Sequence, residues 1–439
     1  AGIVAEAVAF AAEAGAVSLG EITSDVRRAV QTNGTENRGG GSTLGNMVAD
    51  AQLWATRDLG TEVALMNPGG LRADLLFDSS GEGDPDGNVT FREAANVQPF
   101  ANSLFTMDLT GAQLRQVLEE QWQPAGETRP FLKLGVSEGL EYTYDPTAAA
   151  GERIGQIALN GSTVTDTQVI RVVTNSFLSS GGDNFATLAQ GTNRADSGRI
   201  DLQAFVDYFA EFSPLSPDTA QRSIGVSPDI AGSVLTPGDT VELQLSSLLF
   251  TNAGDRDAVV TVSIDGQLLA ESAIDPTIVD NTDEQGRATV SFTVPDGVEG
   301  VAEVIIAVAD NGTEVSIPVI IEAGEPLPEI EIVKKPKLVG AAVVGKTLTV
   351  DAGRYSVRDA QVAFQWLRNG QPIEGATGST YTVQSGDRLA NLSVELTVTA
   401  NGYETLTVQT DERRVPPAIP GAPKWVNALV TLITALIFW

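Results

Sequence analysis

The sequence predicts a multidomain chain: an α+β (layered α/β) domain followed by two all-β sandwiches. Three observations lead there. The chain runs to 439 residues, too many for one ordinary core. Up to about residue 224, stretches of helical periodicity alternate with short apolar strands, the mixture from which layered domains are built. After Ser227-Pro228 the helical period fades. Short runs of alternating polar and apolar residues replace it, punctuated by Gly, Asn and Asp.

The first element, residues 1–18, reads as one helix, Ala-rich with Val, Ile and Phe at helical spacing before the chain turns at Gly20. No charged, apolar and small-residue series of a signal peptide is legible at Ala1, which reads as a cut or processed end. Residues 19–226 form the layered domain, with helices expected over 43–59, 110–121 and 202–212 and strands over 63–66, 104–109 and 169–174. Residues 230–323 alternate at 240–245, 259–264, 288–294 and 302–308. That spacing, without helix signal between the runs, argues for an antiparallel sandwich of immunoglobulin-like type. The Pro-containing stretch 324–330 reads as a linker. In the second sandwich, 331–416, Trp366 is expected to fill the core from a central strand, the competing reading being a ligand platform made with Phe364. The tail, 417–439, ends in a nearly all-apolar run from Trp425 to Trp439. At about 1.5 Å per residue this run falls short of a ~30 Å hydrocarbon core. It reads as a truncated membrane anchor, an interfacial segment or the product of an incomplete reading frame, and any membrane or cell-wall attachment is expected there.

Composition excludes several functions. With 57 Asp+Glu against 27 Lys+Arg, the net charge is −30, which repels nucleic acid and anionic lipid. No nucleic-acid partner is expected, and an anionic ligand must be held by a few locally placed Arg residues. There is no Cys for disulfides or thiolate metal sites, and no His. Acidic loops at 78–86 and 280–284 lack a calcium-ligand spacing and read as solvated turns.

Three motifs could carry binding chemistry. Asn67-Pro68-Gly69-Gly70-Leu71-Arg72 follows an expected strand, where ligands are commonly met. It fits a tight turn with a solvent-facing Arg. The competing reading is an amide at Asn67 and a guanidinium fork at Arg72 for a base and a phosphate, with Gly69 and Gly70 letting the backbone come close. In Val97-Gln98-Pro99-Phe100-Ala101-Asn102 and Thr174-Asn175-Ser176-Phe177, each Phe could be core; as a pair, Phe100 and Phe177 would make a slot for a flat nucleobase. Gly181-Gly182-Asp183 precedes a short helical stretch, so Asp183 fits an N-cap or an acceptor for a ribose diol. Arg38, before Gly39-Gly40-Gly41, stands in a Gly-rich loop ahead of a helix, by itself a weak phosphate signal.

Taken in order, these segments resemble the C-terminal, substrate-recognising domain of the secreted 5′-nucleotidase / 2′,3′-cyclic phosphodiesterase family, over residues 1–225, which implies that residues 1–18 are the connecting helix between that family's two domains. The resemblance implies that Arg38 and Arg72 contact phosphate, that Phe100 and Phe177 sandwich the base, that Asn67 and Asn102 serve base or site polarity, and that Asp183 binds the ribose hydroxyls. The loops would be shaped by Gly69, Gly70, Gly181 and Gly182. Gly34 stands where some members have an Arg, and Asn184 where Gly is frequent. Val344-Gly345-Lys346-Thr347-Leu348, Phe364-Gln365-Trp366-Leu367-Arg368-Asn369-Gly370, Ile373-Glu374-Gly375-Ala376-Thr377 and Tyr381 resemble a bacterial surface immunoglobulin-like repeat.

The family's chemistry needs two divalent metals held partly by His in an upstream metallophosphoesterase domain. This chain, without His, is expected to hold no metal, cofactor or catalytic residue of its own. It reads as the nucleotide-binding portion of a secreted or cell-surface bacterial hydrolase of nucleoside 5′-monophosphates, inactive alone, with a nucleoside or its 5′-monophosphate and the upstream domain as partners. The competing reading is a surface-attached binding or adhesion protein whose nucleotidase domain is a relic.

Overall fold

Residues 2–79, 81, 84–252, 257–322 and 327–417 are described by a computed structural model. Two compact units meet in sequence at Gly324 and Glu325. The apolar tail and residues 323–326 of the linker region lie outside the described residues.

In the first unit, the helix Gly2–Gly15 leads into a short strand, Ser18–Glu21, that holds Gly20 at a φ of 154°. The chain then builds a five-stranded mixed sheet whose spatial order is Thr192–Ile200, Ser103–Thr110, Val169–Asn175, Val63–Met66, Gly135–Val136. All four residues of Val63–Met66 are buried, as expected of a strand covered on both faces. Alternation sorts the side chains. Val63 and Leu65 join Leu114, Val117 and Tyr142 in one core, whereas Ala64 and Met66 join Leu44, Val48 and Phe205 in another. Helices Thr43–Thr56 and Asp201–Phe212 thus cover one face, and helix Gly111–Glu119 with a second sheet covers the other.

That second sheet has six strands in the order Ala288–Thr293, Thr240–Ser246, Ser223–Ser227, Leu140–Tyr144, Ile154–Leu159, Ser162–Thr163. Ser223–Ser227 runs parallel to Leu140–Tyr144 and antiparallel to Thr240–Ser246. Hydrogen bonding therefore continues across residues 226–230. Facing it is a five-stranded sheet, Val234–Leu235, Thr313–Ile321, Gly300–Val308, Val259–Ile264, Gln267–Ala273, and the two share a core rich in Val, Ile and Leu.

The loop at 280–285 departs from the expected solvated turn. Asp283 is 4% exposed because its carboxylate finds a buried cation and three further donors. Its Oδ2 lies 2.5 Å from Lys133 Nζ and accepts from Ser247 Oγ at 3.0 Å, while Oδ1 accepts from the Gly41 N–H at 2.7 Å. Tyr144 donates its hydroxyl to the Asp283 carbonyl and, at 3.3 Å, to Oδ2. A buried ion pair supported by hydrogen bonds at every oxygen is the arrangement that low dielectric permits. Burial alone would lower the Lys133 pKa; the Asp283 charge beside it leaves it raised. Burial first, then the same carboxylate, pushes the Tyr144 phenol well above its ordinary value, and burial with Asp50 nearby pushes Tyr208 to about 12.

All three groups keep their protons in the folded chain at a pH where the unfolded chain loses them. Their contribution is intact below the ordinary values of 10.0 and 10.5 and disappears as pH rises through the folded ones. The first unit is expected to have a lower urea midpoint at about pH 11 than at about pH 9, and Tyr208→Phe should reduce that difference.

In the second unit, strand Gln361–Arg368 pairs with Asn391–Thr399, which pairs with Leu406–Gln409. A three-stranded sheet, Lys337–Val339, Thr347–Asp351 and Thr380–Thr382, contributes Leu338, Leu348 and Val350 to the same core. Trp366 is fully buried and donates Nε1–H to the Gly378 carbonyl at 2.8 Å, so it is core and not a platform. Phe364 packs half-buried against the same cluster.

Candidate functional site

Strand register brings the candidate loops together. Val63–Met66 and Val169–Asn175 run parallel with Leu65 opposite Thr174, and Ser103–Thr110 runs antiparallel to the latter with Leu104 opposite Asn175. The exits of the first two strands and the entry of the third therefore lie at one end of the sheet. Asn67, the 176–183 segment and the 100–102 segment emerge there side by side.

Gly69 is the point of convergence. A β-carbon on it would stand 3.1 Å from Arg38 Nη1, 3.3 Å from Asp183 Oδ2 and 3.4 Å from Asn67 Nδ2. Its carbonyl accepts from Arg72 Nη1 at 3.3 Å. A side chain here would have to displace those polar groups by a few tenths of an ångström, so the constraint comes from close approach and not from backbone angle. At Gly70 a β-carbon would fall 2.4 Å from Met66 Cε, the end of a flexible side chain, and 3.1 Å from Asn67 Oδ1.

Each polar group is held by a neighbour. Arg38 Nε donates to Glu36 Oε2 at 2.8 Å, and Glu36 Oε1 accepts from Arg28 at 3.1 Å. The guanidinium is thus aimed by its inner nitrogen, and its Nη atoms have no hydrogen-bond partner among the described residues. Asn67, 3% exposed, donates to Asp183 Oδ2 at 2.8 Å and accepts from Asn175 Nδ2 at 3.0 Å. Asn175 in turn caps the short helix Ser176–Ser179 by accepting from the Leu178 N–H at 2.9 Å. Asp183 caps no helix. It sits in the left-handed region at a φ of 54°, after Gly181 at 84°, with its carbonyl accepting from Gln123 at 3.1 Å. Its Oδ1 has no hydrogen-bond partner among the described residues.

The two aromatics are exposed, Phe100 by 58% and Phe177 by 48%, so each offers part of its ring to solvent at this end of the sheet. Arg72 lies over the Phe100 ring at 6.0 Å from its centroid, the outer limit of a cation–π contact. Phe177 rests on Gly182, where a β-carbon would be 2.5 Å from the ring. Asn102 ties the two aromatic loops together. Its amide donates to Asp201 Oδ2 at 3.0 Å, and its Oδ1 accepts from Ser176 Oγ at 3.4 Å. Burial raises the Asp201 carboxyl pKa above its ordinary value, and the Asn102 hydrogen bond opposes the shift.

Sequence reasoning passed over Glu36, Asn175, Gln123 and Asp201, which hold Arg38, Asn67, Asp183 and Asn102. Asn175 was legible as an Asn one residue before a helical turn, and Glu36 stands two residues from Arg38; Gln123 and Asp201 act across the fold and leave no local signal. A cavity of about 520 Å³ bordered by Trp54, Arg57, Arg199 and Gln203 contains none of the seven candidate residues, and the Asp58–Arg199 pair, at 2.7 Å, lies within its lining.

Residues 18–190 match the 5′-nucleotidase, C-terminal domain family. All seven candidate residues fall inside that span. The chain is 31% identical over 190 residues to the trifunctional nucleotide phosphoesterase protein YfkN of Bacillus subtilis (strain 168), covering 41% of this chain and 12% of that protein. It is 31% identical over 176 residues to the cell wall protein Lmo0130 of Listeria monocytogenes, covering 39% of this chain and 21% of that one. Among solved structures, a 5′-nucleotidase precursor from Thermus thermophilus is 31% identical and aligns with 49% of this chain and 41% of its own at a TM-score of 0.42. The chain therefore spans less than half the length of each of these proteins.

Proposed function

We propose that the first unit is the nucleotide-recognising part of a 5′-nucleotidase-like phosphoesterase. Its ligand is a nucleoside 5′-monophosphate, with the base between Phe100 and Phe177, the ribose diol on Asp183 and the phosphate on Arg38 and Arg72. The observation that carries this reading is the convergence of Arg38, Asn67, Asp183 and Arg72 on Gly69, at the sheet end that also presents the two exposed rings. Two guanidinium groups, that of Arg38 with Nη atoms unpartnered among the described residues, suit a dianion in a chain whose overall charge is strongly negative.

The residues present do not fit a two-metal centre. The chain has no His, and among the described residues no three Asp, Glu, His or Cys are grouped to hold a metal. Its role in this proposal is recognition, with an upstream metallophosphoesterase domain supplying the metals and the bond cleavage in the intact protein. Secreted or cell-surface placement is part of the proposal, supported by the cell wall name of the Listeria relative and the precursor status of the Thermus one. Among the described residues no helix is long and apolar enough to cross a membrane, and attachment through the tail is proposed on its sequence alone. The immunoglobulin-like nature of the two sandwiches and the domain limits given above are likewise proposals.

Isothermal titration of the chain with adenosine 5′-monophosphate (AMP) is expected to show saturable binding, with no phosphate released in the presence of divalent metal. Absence of binding would favour an adhesion protein with a relic domain; metal-dependent release of phosphate would refute the assignment to recognition alone.

A further inference from the structure

We propose that the 280–285 loop of the first sandwich is part of the phosphate end of the site, a positioning element for Arg38. This rests on the nucleotide reading above.

The loop grips the segment that carries Arg38 along its length. Asp280 accepts from the Thr32 N–H at 2.8 Å and the Thr32 hydroxyl at 2.9 Å. Asn37 donates to the Thr282 carbonyl at 3.3 Å, and Gly41 donates to Asp283 Oδ1 at 2.7 Å. At Gly39 the two backbones are nearly in contact, for a β-carbon there would lie 2.6 Å from the Asn281 carbonyl oxygen. Nearby, Asn252 donates to the Arg28 carbonyl at 2.7 Å and the Val30 N–H donates to Thr251 at 2.9 Å.

Arg38 sits inside this grip. Its two sequence neighbours both meet the loop, and its own carbonyl accepts from the Lys133 N–H at 2.9 Å. Lys133 in turn pairs through Nζ with Asp283. The backbone of Arg38 is thus clamped between Lys133 and the sandwich loop, while Glu36 fixes its Nε. A guanidinium reads phosphate as a planar fork, so the direction in which its outer nitrogens point decides how well it binds. The sandwich supplies that direction without touching ligand.

Gly39→Ala separates this role from a general one. No left-handed backbone angle is required at Gly39, so the added methyl is opposed only by the loop. The full chain carrying it is expected to bind AMP about ten- to a hundredfold more weakly, the worth of a charge-assisted contact. Its affinity for adenosine, which lacks the phosphate, should be unchanged. Asp280→Ala, altering an exposed side chain whose hydrogen bonds among the described residues go to Thr32, should weaken AMP by roughly threefold and again spare adenosine; it carries the test if Gly39→Ala does not fold. Unchanged AMP affinity in both variants, or equal losses for AMP and adenosine, overturns the proposal. A wild-type chain that binds neither ligand overturns the nucleotide reading itself, and this inference with it.

Discussion

Replacing Phe100 and Phe177 together with Ala is expected to abolish measurable AMP binding while leaving the fold intact. Both rings are exposed, by 58% and 48%, so their truncation removes little buried area and should move stability by no more than about 0.5 kcal/mol. Stacking of a base on an aromatic ring is worth about 1–3 kcal/mol. Loss of both faces would then weaken binding by roughly 2–6 kcal/mol, enough to carry a micromolar ligand beyond the range of titration. Each single variant should lose about half of this, and Phe177→Tyr should keep most of it because the ring face survives. Isothermal titration with AMP, beside a thermal melt of each variant, decides the matter. A double variant that binds as the wild type does would mean that the rings are not the walls of the site.

Some of this architecture could be read from the chain because its determinants are local. The strand expected over 63–66 is found at Val63–Met66, and that over 259–264 at Val259–Ile264. A short apolar run, or a strict alternation, ended by Gly, Asn or Asp leaves little freedom at the boundaries. The helix expected over 43–59 ends earlier, at Thr56, and continues as the tighter turn Arg57–Leu59 until Gly60 takes a φ of 75°; periodicity marks where a helical face lies but not the switch in its pitch. Trp366 was legible as core because an aromatic alternating with polar neighbours in a strand faces the opposite sheet.

What could not be read is long-range partnership. Nothing near Ser223–Ser227 says that this strand will stand between Leu140–Tyr144 and Thr240–Ser246, because a sequence records which face a strand buries and not which edge it joins. The same holds for polar pairs. Asp280, Asp283 and Glu284 form an acidic turn in sequence, and only the fold shows that Asp283 answers Lys133. Among the candidate residues, Arg38, Asn67, Arg72 and Asp183 do meet around Gly69. Asn67 and Asn102, expected to serve base or site polarity, spend their amides on Asp183 and Asp201, so their role as placed is to hold other groups.

Asp283→Ala is expected to cost the first unit about 3–5 kcal/mol, the range for breaking a buried pair by removing one partner. The asymmetry with the partner variant is the sharper test. Without Asp283, Lys133 is left with the Ser223 hydroxyl, at 2.5 Å, and the rings of Tyr142 and Tyr144 for a charge that is 5% exposed. In Lys133→Met the Asp283 carboxylate still accepts from Gly41, Ser247 and Tyr144, and the apolar stem is replaced by one of similar length. That variant should cost less, about 1–3 kcal/mol. Combining the two substitutions should recover part of the Asp283→Ala loss, since no buried charge is then left unpaired. Recovery will be incomplete, because the Gly41 N–H loses its acceptor in every chain that lacks Asp283. Urea titration followed by hydrogen exchange of first-unit peptides measures all three. A double variant that costs the sum of the two single ones, or more, would show that the ion pair is not what holds the 280–285 loop against the first layers of the fold.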